Sequence, residues 1–185
     1  MHNLTPLKGR LLIAEPSILN DTSFNRSIVL ITEHSQNNSV GFIVNKPLNF
    51  TINDLIPEID SDFMVYQGGP VEQDNLYFIH QVPDLLPESI SIKGKISWGG
   101  NFNKLKQLLN SNLLNENDIR FFLGYSGWTK DQLLNEIDDN SWFISENDSE
   151  DIFSENEEMF WRKKLLQKGG DYKLWVNAPS DISQN

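Results

Sequence analysis

Residues 27–34 read SIVLITEH, and no other stretch restricts the fold as much. The run is rich in β-branched residues, and Ile28, Val29, Leu30 and Ile31 follow one another without a polar break. Successive side chains of a strand point to opposite faces. A strand that is apolar on both faces is expected to be covered on both. The polar stretch SQNNS at 35–39 reads as a turn. A second strand, VGFIVNK at 40–46 and closed by Pro47, completes an antiparallel hairpin.

The remaining elements follow from local signals. Residues 11–14 form a short strand before a long polar connection, 16–26. Residues 51–56 form a helical turn or two, capped by Thr51 and ended by Pro57. Strands at 63–67 and 76–82 flank a Gly68-Gly69-Pro70 turn, and 90–92 pairs with 95–98 around Gly94. The second half is more helical. Leu105, Leu108 and Leu109 share one face of a helix at 103–110. After a strand at 119–123, a helix at 129–138 is capped by Thr129, with Leu133, Leu134 and Ile137 as its buried stripe. A strand at 141–145 precedes a last helix, opened by the capping box Ser154-x-x-Glu157 and ended near Lys168 and Gly169. Hairpins with scattered helices indicate an α+β fold with a mixed sheet, in a single domain over 1–177 with a flexible tail at 178–185.

Composition excludes several function classes. A chain of 185 residues without cysteine has neither thiolate metal sites nor a cysteine nucleophile, which fits a reducing, cytoplasmic setting. The start of the chain does not read as a signal peptide, and no apolar run reaches membrane-spanning length, so no membrane association is expected. The net charge is −11, and residues 131–160 carry eleven acidic side chains with no Lys or Arg. Such a face repels a phosphate backbone and argues against direct nucleic-acid binding; it is a solvated surface or a dock for a basic protein partner.

The pentapeptide Gly124-Tyr125-Ser126-Gly127-Trp128 invites a catalytic reading. A nucleophile elbow needs Gly-x-Ser-x-Gly, and Trp128 stands at the last glycine. None of His2, His34 or His80 has a recognisable triad context. The preferred reading is a strand that exits through Gly124, turns at Gly127 and drops Trp128 onto the sheet. A small anion at the start of the following helix is the alternative. Gln132 and Glu136, four apart, lie on that helix's polar side. The Gly68-Gly69-Pro70 turn lacks the Lys-[Ser/Thr] of a P-loop. No metal-ligand spacing occurs, and neither a metal nor a cofactor is expected. His34 and His80 each end an apolar strand and read as strand-end histidines.

The blocks GRLLIAEP, DTSFNRSIVLITEH, VGFIVNKP, QGGPV and GYSGWTKDQLLNEI, in this order and spacing, resemble the bacterial AlgH/YqgE family from about Leu7 to Trp175. The matching positions include Asp21, Phe24, Arg26, Asn45, Pro47, Gly68, Gly69, Pro70, Gly124, Tyr125, Gly127, Trp128, Gln132 and Glu136. The resemblance implies a flattened, barrel-like mixed sheet with surrounding helices, in a small cytosolic protein. Some members are labelled transcriptional regulators, and the resemblance brings no catalytic residues with it. The acidic stretch 146–158 departs from the pattern and speaks against DNA contact there.

The favoured reading is a regulatory protein that acts through a protein partner. Direct DNA contact is disfavoured, since the helix at 103–110 offers only Lys104 and Lys106. The alternative is a ligand-binding protein or enzyme with a pocket at the converging turns, lined by Asn45, Lys46, Gly68, Gly69, Tyr125, Ser126, Trp128 and Gln132. Unpaired strand edges would allow a homodimer.

Overall fold

The apolar run at residues 28–31 lies in a strand whose two faces enter two different cores. The computed structural model of the chain describes residues 4–18, 20–147, 152–153 and 157–176, apart from the side chain at position 158. Its strands are β1 (Leu11–Ala14), β2 (Ile28–His34), β3 (Asn38–Ile43), β4 (Pro47–Thr51), β5 (Met64–Gln67), β6 (Val71–His80), β7 (Ile90–Lys93), β8 (Ile96–Trp98), β9 (Ile119–Thr129) and β10 (Trp142–Ser145). The helices are α1 (Ile52–Leu55), α2 (Phe102–Asn110), α3 (Lys130–Asp138), α4 (Glu157–Lys168) and α5 (Tyr172–Trp175).

The strand order is β10-β1-β2-β3-β9-β6-β8-β7, with β4 paired to β5 and β5 to β9. Only the β5–β9 pair among these is parallel, so the sheet is mixed and the fold is α+β. Ile28 and Leu30 of β2 share a core with Leu11, Phe42, Ile79, Ile96 and Phe122, closed by Phe160, Trp161 and Leu165 of α4. Val29 and Ile31 point the other way, toward Leu12, Ile43, Trp128, Leu133 and Trp142. A third core packs Leu105, Leu108 and Leu109 of α2 onto Ile119 and Phe121 of β9. Each such buried side chain contributes ~1.5–3 kcal/mol of transfer free energy. Strands from both ends of the path share the first core, so the sheet is wrapped. Its ends meet at Glu146, just past β10, which pairs with Arg10 at 2.7 Å and with Lys93 of β7 at 2.8 Å.

β9 holds the wrap together. Phe121–Leu123 pair in parallel with β5 on one side, while Ile119–Leu123 pair with β6 on the other. Beyond Gly124, residues 126–129 pair with β3. The GYSGW pentapeptide is therefore strand and not a corner, and the turn expected at Gly127 does not occur. The junction with the helix falls at Thr129, whose hydroxyl accepts from Gln132 N. The chain passes from β5 to β6 through Gly68-Gly69-Pro70, so these residues cross β9 and do not close a hairpin.

The two backbones touch at the crossing. A Cβ on Gly68 would lie 2.2 Å from Gly124 O, and one on Gly69 would lie 2.2 Å from the Tyr125 carbonyl. Gly124 adopts φ +71°, and its Cβ would lie 2.6 Å from Gly69 O. Gly68 O accepts from Ile43 N at 2.8 Å and from the Ser126 hydroxyl at 3.1 Å, which fastens the crossing to β3 and β9.

Three smaller expectations are corrected. β3 ends at Ile43, and Pro47 opens β4 instead of closing the preceding strand. A proline fits there because β4 pairs only with β5 and the first residue need not donate. β6 begins at Val71, five residues before its expected start. Leu134 is 41% exposed, so the buried stripe of α3 is narrower than its apolar pattern. Ser154 of the capping box, the tail 178–185 and much of the acidic stretch lie outside the described residues; Glu157 accepts the Tyr66 hydroxyl.

Gly124→Ala is expected to cost ~3 kcal/mol or more, because strain at positive φ adds to backbone collision. Gly94→Ala, at φ +59° with nothing near its Cβ, should cost only ~1–2 kcal/mol. Urea unfolding of both variants measures the contrast, and equal losses would contradict a crossing constraint.

Candidate functional site

Of the sequence-predicted site residues, Gly68, Gly69, Tyr125 and Ser126 come together at one contact, and none of the eight lines the two clefts beside α3. Gly68 and Gly69 lie directly on Gly124 and Tyr125. Ser126 is fully buried and its hydroxyl serves Gly68 O, so it is not a nucleophile. Tyr125 meets the Tyr77 ring edge-on with centroids 5.9 Å apart. Asn45 is spent on backbone: Oδ1 accepts from Ile28 N at 2.7 Å, and Nδ2 donates to Arg26 O at 2.9 Å. Lys46 Nζ donates to Ser23 O at 2.7 Å. Burial pulls its pKa below the usual lysine value, and the charge of Asp21 opposes that.

The same loop explains other family positions. Asp21 Oδ1 accepts from Ser23 N and Phe24 N, a turn that aims Phe24 at Trp128 and Trp142, with ring centroids 5.8 and 5.3 Å away. Arg26 stacks over Trp161 at 5.2 Å. These contacts fasten the segment before β2 to the sheet.

Trp128 lies on the outer face and is nearly buried. Its indole N–H donates to Glu136 Oε2 at 2.8 Å, and the Trp142 indole donates to the same oxygen at 2.7 Å. Gln132 Nε2 donates to Glu136 Oε1 at 2.9 Å. Glu136, half-buried, is thus a clasp holding α3 to β9 and β10, while Gln132, which supports it, stays exposed on the helix's polar side.

The buried titratable groups are also committed. His80 has no exposed surface. Val82 N donates to its Nδ1 at 3.3 Å, so Nε2 carries the proton and faces Gly99 O at 3.1 Å and Ser89 Oγ at 2.9 Å. Ser89 in turn donates to Leu86 O at 2.6 Å. A hydroxyl that accepts from histidine and donates elsewhere is not an activated nucleophile. Burial pulls the His80 pKa down, against the Gly99 carbonyl bond. Arg120 Nη1 donates to Val44 O at 2.6 Å, and its guanidinium stacks 4.3 Å from the Tyr66 ring. Burial lowers the Arg120 pKa and raises that of Tyr66, which keeps the phenol protonated. Among the described residues no group of three or more His, Cys, Asp or Glu is placed to hold a metal, and no helix is long and apolar enough to cross a membrane.

Two clefts flank α3. One, of about 390 Å³, runs between β10 and α4 beside Glu15, Phe143, Lys164 and Lys168. Its charges satisfy each other: Lys168 Nζ lies 2.9 Å from Glu15 Oε1 and 4.0 Å from the Phe143 ring centroid, and the Tyr172 hydroxyl donates to Glu15 at 3.0 Å. The second, of about 540 Å³, is bounded by residues 5–7, the β2–β3 hairpin and the first turns of α3. Its walls include Leu7, Leu133 and Leu134, and its polar groups include His34, Ser39 and Lys130.

Local structure positions each of these. His34 and Ser39 are register partners across the hairpin, with Nδ1 and Oγ 2.8 Å apart. Thr129 pairs with Asn38, and Lys130 N donates to Asn37 O at 2.9 Å, so α3 starts against the hairpin tip. Neither Ser39 nor Lys130 was a candidate from sequence, and His34 read only as a strand end. The usable signal was the four-residue separation between them, which sets His34 opposite Ser39.

A family model described as AlgH-like matches residues 11–173. The chain is 43% identical over 180 residues to a UPF0301 protein of Cytophaga hutchinsonii, covering 96% of this chain and 98% of that one. It is 38% identical over 184 residues to a UPF0301 protein of Parabacteroides distasonis, covering 97% and 92%. Its fold is similar to the crystal structure of a Corynebacterium diphtheriae protein, with TM-score 0.76, 20% identity and coverage of 96% and 95%. It is also similar to the solution structure of the AlgH protein of Pseudomonas aeruginosa, with TM-score 0.71, 22% identity and coverage of 97% and 98%.

Two measurements check these assignments. Glu136→Ala should cost ~2–4 kcal/mol by leaving two indole donors unpaired, whereas Glu136→Gln, which keeps an acceptor oxygen, should cost ~1 kcal/mol or less. For His80, the folded pKa lies below the unfolded value of about 6.5, so its contribution is full above that pH and is lost as pH falls through the folded value. The stability gap between wild type and His80→Gln should therefore narrow as pH falls below about 6.5 in urea titrations.

Proposed function

The chain belongs to the AlgH-like family, and on that premise we propose that it is a small-ligand-binding protein whose site is the cleft between α3 and the β2–β3 hairpin. The observation that carries this reading is the cleft's make-up. Its volume of about 540 Å³ falls within the ~300–1,000 Å³ range of small-ligand sites, and apolar walls surround a few polar groups. The serines and histidines that could suggest catalysis elsewhere are committed to backbone and to each other, so binding is favoured over chemistry.

A regulatory role through a protein partner is a second reading. Asp131 and Asp138 of α3, the helix that walls the cleft, and Asp139 just past its end are exposed, so ligand and partner would share one element. Direct DNA contact through α2 has less support, since Lys106 is paired with Glu58.

A fragment screen followed by amide chemical shifts tests the site. Hits should move Leu7, His34, Leu133 and Leu134 together. Leu134→Asp should abolish them while changing Tm by at most a few degrees, as expected for a partly exposed position. Hits confined to the β10–α4 cleft, or none at all, would remove the reading.

A further inference from the structure

We propose that this cleft is built for an aliphatic carboxylate, with Lys130 and His34 reading the carboxylate and Leu7, Leu133 and Leu134 holding the chain. The inference rests on the ligand-binding reading above and names its ligand class.

Charge is the first argument. The chain carries 26 acidic residues and a net charge of −11, yet among the described residues no Asp or Glu lines this cleft. Lys130 does line it, and makes no ion pair among the described residues. The neighbouring β10–α4 cleft is lined by Glu15 and Glu146 as well as by lysines, and Glu15 already holds Lys168. An anion would thus find an open cation in one cleft and an internally paired one in the other.

Hydrogen bonding is the second. Ser39 is 1% exposed, and its hydroxyl lies 2.8 Å from His34 Nδ1. The arrangement that satisfies both groups has the Ser39 hydroxyl donating to Nδ1. That leaves Nε2–H as the donor the ring can offer, in the cleft that Lys130 also lines. A single formal positive charge with one neutral donor suits a monoanion better than a phosphate dianion.

Shape is the third. Leu7 is 47% exposed and Leu134 41% exposed, and both lie on this cleft. Among the described residues no Phe, Tyr or Trp lines it, so the leucine walls offer contact to an aliphatic chain. Burying such a chain contributes ~0.8 kcal/mol per CH₂ group.

The test compares octanoate, 1-octanol and octylamine on the full chain by calorimetry and amide shifts. Octanoate should bind at least ~tenfold more tightly than 1-octanol, with shifts at His34, Leu133 and Leu134. Lys130→Gln should erase that preference while leaving the 1-octanol affinity within about twofold of wild type. Equal binding of octanoate and 1-octanol at the cleft, or a preference for octylamine, would overturn the carboxylate assignment and leave the site standing. Absence of binding by all three, or shifts scattered away from the cleft, would overturn both.

Discussion

Two backbones cross at Gly68-Gly69 and Gly124-Tyr125, and the rest of the sheet depends on that contact. β5 and β6 are consecutive in sequence but lie on opposite sides of β9. With only Gly68, Gly69 and Pro70 to make the passage, the connection must pass against β9 itself. No side chain fits between the chains there, and a positive φ at Gly124 lets β9 turn from β5 and β6 toward β3. The Ser126 hydroxyl and Ile43 N both reach the carbonyl of Gly68, so the crossing also joins the two halves of the sheet. One local geometry thus accounts for the glycines in two motifs that lie far apart in sequence.

The crossing places the cleft through a short chain of consequences. Beyond Gly124, β9 runs along β3 as far as the Asn38–Thr129 pair, which ends it at the hairpin tip. α3 must then begin there, with Lys130 fixed by Asn37. The next turns fold back over the outer face, where Leu133 enters the core and Glu136 clasps two tryptophans. Leu134, one position round the helix, is left on the cleft side. The clasp sets the angle of α3 and hence the width of the cleft beside it. Hydrogen bonds from two indoles to one carboxylate oxygen are charge-assisted, which makes this a firm wall.

Much of the fold was legible because its signals are local. The unbroken Ile28–Ile31 run announced a strand with two covers, and both exist. Thr51 and Thr129 marked helix starts, and the pair around Gly94 formed as read. The GYSGW segment misled for a physical reason. Local rules take glycine and serine as turn residues, but here they are small because another backbone lies on them, and that neighbour is some 55 residues away in sequence. The candidate residues drawn from the converging turns also carry structure: the side chains of Asn45, Lys46 and Ser126 bond backbone groups, and the Trp128 indole bonds Glu136. The cleft was illegible because its walls come from residues 5–7, a hairpin and α3, and nothing in one segment reports the other two.

The charge distribution decides what such a cleft can select. An anion approaching a chain of net charge −11 is repelled at long range. At physiological ionic strength that field is damped beyond ~8 Å, so it slows encounter more than it weakens a bound state. Inside that distance the lining itself governs, and there a lysine and a histidine share the cleft with no carboxylate among the described residues. A small, highly charged anion gains little, because solvent competes for Lys130 at an exposed position. A ligand with an apolar chain gains from the leucine walls first and uses the cation to choose its head group. Affinity then comes from area and selectivity from one charge. That division fits a cleft with exposed leucines on its rim and a single lysine at the start of its helix.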